Sequence, residues 1–230
     1  YANVSGNLLV AARTGKKDNP EDGITVFIVD ANSPGITTTV MPTAACDKRC
    51  EVKFDSVTVP ANNILGEKDK GWEIIEYIYQ YSTVLKCAEI SGAAQAAMEL
   101  TNQYAQERIQ FDKPIGSLQA IQHRIVNMLS EIDGLRNIVY EAAWKVNIGS
   151  PDKMLISIAK TKANNVYERV CLDGVSVHGA IGITDEMDIG LYFVMTKSFE
   201  FELGSTNFHR ERIAKEFDVY KPLYLSMWDK

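Results

Sequence analysis

Few side chains here combine reactivity with a spacing that suggests joint action. Cys46 and Cys50 stand in Cys46-Asp47-Lys48-Arg49-Cys50, a C-x3-C spacing. Tetrahedral zinc needs four ligands, yet no second pair lies nearby, and His123, His178 and His209 are remote in sequence. The cysteines therefore read as reduced thiols, with Cys87 and Cys171 on or near apolar helix faces, and a cytoplasmic compartment is expected. Arg108, with Phe111 three positions on, offers a permanently charged planar fork that pairs with phosphate or carboxylate oxygens. An arginine at a helix end is also an ordinary solvated residue. In His178-Gly179-Ala180 the glycine suits a backbone that comes close to a ligand, while the histidine alone reads as a packing or capping residue. Gly204-Ser205-Thr206-Asn207 gathers small hydroxyls and an amide able to donate and accept at phosphate or sugar.

The elements that must position these residues change character near residue 66. Before it lie short runs rich in β-branched residues: Leu8–Ala12, Ile24–Val29, Ile36–Val40 and Glu51–Phe54. Turn chemistry separates them at 16–23 and at Asn32-Ser33-Pro34-Gly35, which predicts a small antiparallel sheet or part of a barrel. After Gly71 the texture is helical. Over 118–146 the apolar residues Leu118, Ile121, Ile125, Leu129, Ile132, Leu135, Val139, Ala142 and Val146 recur at helical spacing. Ser117 is the expected N-cap and Gly149 the expected residue just past the end. Ser150-Pro151-Asp152 reads as a cap with proline at the first helical position of the next helix, which continues through Leu155, Ala159, Ala163, Val166 and Val170. A helix rich in small residues is expected at 72–107 and a last one at 187–216, interrupted at Gly204. The expected fold is α+β, mostly α: a partial antiparallel β-domain over 1–66, then an antiparallel four-helix bundle over 67–230.

The 230 residues carry a formal charge of −6, which gives no reason to expect nucleic acid or a membrane surface as partner. No apolar run approaches the ~20 residues of a spanning helix. The chain begins at Tyr1 rather than methionine, so a piece of a longer protein is expected.

At the junctions the sequence resembles the acyl-CoA dehydrogenases. Three stretches carry the likeness: Phe54-Asp55-Ser56-Val57-Thr58-Val59-Pro60 with Asn63–Glu67 and Gly71-Trp72, then Tyr104–Phe111 with Pro114–His123, then His178–Glu186. The resemblance implies the later part of a middle β-domain and the whole C-terminal bundle, which serves FAD binding and oligomerisation. It implies an acyl-CoA substrate, an electron-transferring flavoprotein as acceptor, and a homo- or hetero-tetramer with each flavin held between two subunits. On that basis Arg108 meets the flavin pyrophosphate of a neighbouring subunit, Phe111 packs near the cofactor and Gln119 bonds to it. Ser176, His178 and Gly179 belong to a second contact, although Ser176 and Ala180 replace a glutamine and a glycine found in many relatives. Ser205 and Thr206 belong to a third. Asp112 stands where many members carry glycine, so a different local backbone is expected there.

Removing the α-proton of an acyl thioester requires a carboxylate base. The resemblance puts that base directly before the loop glycine or early in the first bundle helix; these positions hold Leu203 and Ser82. Glu202 is one step from the first position, a rotation of roughly 100° on a helix, and only a distorted loop would redirect it. Glu89 and Glu200 read as surface or helix-pairing charges. Either the chain is the subunit of a hetero-oligomer that completes flavin and acyl-CoA sites without supplying the base, or it forms a homo-oligomer whose base sits in the missing N-terminal part or is not glutamate. His209-Arg210-Glu211-Arg212 and Asp188–Phe193 resemble the former kind of subunit. An oxidase or monooxygenase with other flavin chemistry, and a flavin-free helix bundle, remain the alternative classes; retained Arg108, Phe111 and Gln119 argue against the last.

Overall fold

In the computed structural model residues 1–16 and 19–225 are described, with side chains to 217. Lys17 and Asp18, part of the turn expected at 16–23, lie outside the described residues. The chain divides into two compact units, Tyr1–Tyr79 and Gln80–Lys230, the division falling inside the first long helix.

In the first unit β1 (Asn7–Arg13) pairs antiparallel with β2 (Ile24–Asp30), in register from Asn7↔Asp30 to Arg13↔Ile24. β3 (Ile36–Met41) and β4 (Arg49–Phe54) form a second antiparallel pair. The alternation expected of half-buried strands is plain in β1, which runs exposed and half-buried by turns from Asn7 to Arg13, whereas β2 buries Thr25, Val26 and Val29 from both of its faces. The turn at 32–35 forms as its chemistry predicts: the Asn32 amide donates to Asp30 Oδ1 at 2.9 Å, and Gly35 takes φ +92°. A strand not expected from the sequence, β5 (Ile64–Leu65), adds two residues to the open edge of β2. An apolar hollow of about 370 Å³ lined by Val10, Phe27, Val29, Phe54 and Val59 marks the inner face of this partial sheet system.

In the second unit the bundle is built from α1 (Gly71–Glu107), α2 (Gln119–Asn147), α3 (Lys153–His178), α4 (Ile189–Phe201) and α5 (Thr206–Leu225). The last two share the fourth position, split at the interruption expected at Gly204. α3 is the central helix and packs against α2, α4 and α5. Its row Ala159, Ala163, Val166 and Val170 is fully buried, as the sequence predicts. Cys87 on α1 and Cys171 on α3 are also buried, and burial pushes both thiols up to about 12.

Three local expectations are corrected. Met128, not Leu129, joins Ile132, Leu135, Val139, Ala142 and Val146 in the core, and Leu129 is 42% exposed. The run 121, 125, 128, 132, 135 keeps the 3.6-residue period, which places 129 a further ~100° round. α2 starts from Leu118 without a side-chain cap; Ser117 instead closes a 3-10 turn and donates to Pro114 O at 2.8 Å. α3 is capped by Asp152, whose Oδ1 accepts from the Leu155 amide at 3.0 Å, so Pro151 precedes the cap. Gly149 does follow the α2 C-cap, at φ +73°.

Candidate functional site

The candidate residues fall into two groups at different levels of α3. The first is assembled where α1 ends. The Arg108 amide closes the last turn on Tyr104 O at 2.8 Å, and the chain then makes a hairpin, Ile109–Gln110 against Lys113–Pro114. Its two connecting residues both have positive φ, Phe111 at 56° and Asp112 at 62°, the signature of a type I′ turn. Asp112 therefore takes the left-handed conformation a glycine would take. Phe111, a bulky residue held there, is 82% exposed. Such a strained, solvent-facing aromatic is a candidate contact surface. The Ile115 amide bonds back to Arg108 O at 2.8 Å, which ties the hairpin to the start of α2, where Gln119 is exposed. The Arg108 side chain is exposed and makes no ion pair among the described residues.

The end of α3 joins this corner. The Tyr104 ring stacks on His178 at 4.2 Å between centroids, and Ala105, Ile115 and Val177 pack together beneath the hairpin. His178 is buried, with Nδ1 2.8 Å from Gly174 O, so its side chain packs the corner rather than facing outward. Gly179 has φ +70° and ψ −145°, a combination essentially reserved for glycine, and the space around its Cα is open. Ser176 is exposed, but its hydroxyl donates to Leu172 O at 2.8 Å. The corner therefore presents Arg108, Phe111, Gln119 and the Gly179 main chain.

The second group lies near Lys160, eighteen residues before His178, which at about 1.5 Å per residue is roughly 27 Å along α3. α4 ends at Phe201, then Leu203 (φ +56°) and Gly204 (φ +101°) reverse the chain into α5. Ser205 caps α5, its Oγ accepting from the Phe208 amide at 3.3 Å. Thr206 is buried and its hydroxyl accepts from Asn164 Nδ2 at 3.3 Å. Glu202 forms an ion pair with Lys86 on α1, which also holds Glu89 at 2.7 Å. Glu200 pairs with Lys197 at 2.9 Å. Ser82 is half-buried one turn before Lys86 on α1, the helix whose Lys86 pairs with Glu202 beside Leu203. Neither Ser82 nor Leu203 carries a carboxylate.

Sequence reading missed the residue at the centre of this second group. Lys160 Nζ is fully buried and donates to Asn164 Oδ1 (2.7 Å) and Phe199 O (2.9 Å), with Glu200 O and Gly204 O each at 3.4 Å. Burial lowers its pKa to about 8, which leaves it charged at neutral pH. The only signal in the sequence was a lysine inside an apolar stripe beside Ala159 and Ala163. His209 is buried too, and its Nε2 lies 2.9 Å from Leu203 O.

Gly204 admits no side chain: a Cβ there would sit 2.5 Å from Phe208 Cδ1 and 2.9 Å from His209 Nε2. Gly204→Ala is expected to lower stability by about 2 kcal/mol through that clash and the strained φ. Thermal melting of the variant checks it; an unchanged midpoint would show that the turn relaxes freely.

The sequence model described as "Acyl-CoA dehydrogenase, C-terminal domain" matches residues 69–217. The probable acyl-CoA dehydrogenase YngJ of Bacillus subtilis is 32% identical over 94% of this chain and 57% of its own length. Among solved structures, butyryl-CoA dehydrogenase from Megasphaera elsdenii superposes with TM-score 0.89 at 28% identity, over 94% of this chain and 57% of that one. The ChsE4-ChsE5 complex from Mycobacterium tuberculosis gives TM-score 0.84 at 28% identity, over 94% and 57%. The chain belongs to the acyl-CoA dehydrogenase family. It spans 57% of the length of YngJ and of both structures.

Proposed function

We propose that the full-length protein is an FAD-dependent acyl-CoA dehydrogenase-type oxidoreductase acting on an acyl-CoA thioester. In this reading the present chain completes flavin and acyl-CoA sites in a hetero-oligomer and supplies no base of its own. The observation that carries the reading is the turn at 202–204. Leucine occupies the position before Gly204, and the neighbouring carboxylate, Glu202, is tied to Lys86.

The residues present fit the cofactor at the hairpin corner. An exposed guanidinium suits a pyrophosphate, an exposed aromatic suits a flat ring system, and the open main chain at Gly179 admits close approach. Thr206 is buried and its hydroxyl accepts from Asn164, which leaves its own O–H to donate. The separation along α3 supports a shared arrangement, with Arg108, Phe111, Gln119 and Gly179 facing a cofactor of a neighbouring subunit and the 203–205 turn facing the chain's own. Bound FAD would supply the two-electron acceptor for a hydride from the acyl β-carbon. The α-proton must go to a carboxylate, which neither Leu203 nor Ser82 provides. Two further assignments belong to this proposal: an electron-transferring flavoprotein as the next electron acceptor, and a cytoplasmic location matching the free cysteines. No helix among the described residues is long and apolar enough to cross a membrane. A hetero-oligomer accords with the ChsE4-ChsE5 complex being a structural relative.

Anaerobic titration of the full-length protein with acyl-CoA, following the flavin visible band, tests this. Bleaching only when a sister subunit that carries the glutamate is added is expected. Bleaching by the protein alone would show that it carries its own base.

A further inference from the structure

The turn at 203–204 is held by more than its own sequence. Phe199 and Glu200 are among the last residues of α4, so their carbonyls have no following turn of helix to bond them. Leu203 O and Gly204 O lie in the reversal itself. That makes four backbone acceptors within six residues. Lys160 Nζ lies within 3.4 Å of three of them, and His209 Nε2 lies 2.9 Å from the fourth. An ammonium has three protons, so the two short bonds take one each and the last is shared between Glu200 O and Gly204 O. A cation also suits the negative end of the α4 dipole. One turn along α3, Asn164 accepts from Lys160 and donates to Thr206, which extends the row to the first residue of α5.

Leucine at φ +56° is a conformation that surrounding structure must impose, while glycine adopts φ +101° without strain. Lys160 and His209 reach the reversal from α3 and α5 and bond its main chain, not its side chains. The side chain at 203 therefore takes no part in these bonds.

We infer that Lys160 and His209 are positioning residues: two buried donors that hold the carbonyls of residues 199–204 and so present the residue-203 side chain and the amides after it in one orientation. This deepens the functional reading and rests on it for the claim that the turn borders an acyl-CoA site. The ring of His209 must carry a proton on Nε2, since Leu203 O can only accept, and it does so as the neutral tautomer. Burial supports that state by lowering its pKa to about 4.

The test is amide hydrogen exchange in the full-length protein, read by mass spectrometry on peptides spanning 199–209. His209→Met is expected to speed exchange there at least tenfold while α2 peptides stay unchanged. His209→Gln keeps a donor the same number of bonds from the backbone and is expected to restore the slow rate. Unchanged exchange in His209→Met, or no rescue by glutamine, would overturn the inference. Should His209→Met unfold, 15N NMR of the wild-type ring at pH 7 decides. An Nε2-protonated tautomer with a slowly exchanging proton supports it, and an Nδ1-protonated or rapidly exchanging ring overturns it. Neither measurement depends on flavin bleaching, so failure of the dehydrogenase reading would leave these results to stand or fall alone.

Discussion

Lys160→Met is expected to lower the stability of the protein by about 3 kcal/mol. Two opposing effects set this figure. The methionine has no charge to bury, and the displacement of the lysine pKa to about 8 puts that relief at roughly 3 kcal/mol. Against it, the carbonyls of Phe199, Glu200 and Gly204 lose their donor, and backbone cannot be rearranged as a side chain can. Each orphaned buried acceptor is worth about 1–3 kcal/mol. The strained backbone at Leu203 then loses support worth about 1–3 kcal/mol more. The losses exceed the relief. Urea denaturation should show a lower midpoint with an unchanged slope, and melting should fall by about 6–12 °C. A midpoint equal to or above that of the parent would mean that the lysine is not what holds the turn.

The second large effect is acid sensitivity from His209. Its folded-state pKa is near 4, lowered by burial, against about 6.5 in an unfolded chain. Above pH 6.5 the ring is neutral in both states and its contribution is complete. Between pH 6.5 and 4 the unfolded chain binds a proton that the folded one refuses, so stability falls as pH falls. The full loss by pH 4 is about 3 kcal/mol, of which roughly 2 kcal/mol is gone by pH 5. The carboxylates with lowered pKa values, such as Glu131 beside Lys162, lose their contribution below the ordinary carboxylate range, which separates the two effects. Denaturation midpoints at pH 7 and pH 5 should differ more for the parent than for His209→Gln, which cannot titrate. Equal differences in the two proteins would place the acid sensitivity elsewhere.

The division of labour between sequence and fold follows from the range of the forces involved. Strands β1 to β4 were legible because β-branched runs and the Asn-Ser-Pro-Gly turn act locally. The helices were legible because a 3.6-residue period survives in any bundle. The family and its carriers, Arg108, Phe111 and Gln119, were legible as motifs, as was the absence of a carboxylate at 203 and 82. One-residue matters were not: Met128 for Leu129 and Asp152 for Ser150 depend on the exact face a helix turns inward, and that is set by its neighbours. Thr206 reads as a surface hydroxyl until α3 brings Asn164 against it. Lys160 is the clearest case. In the sequence it is one of many lysines, and only the packing of α3 against α4 and α5 strips its water and surrounds its ammonium with carbonyls from residues about forty positions away. The same long-range assembly set the two candidate groups roughly 27 Å apart along α3, a separation that no local pattern encodes.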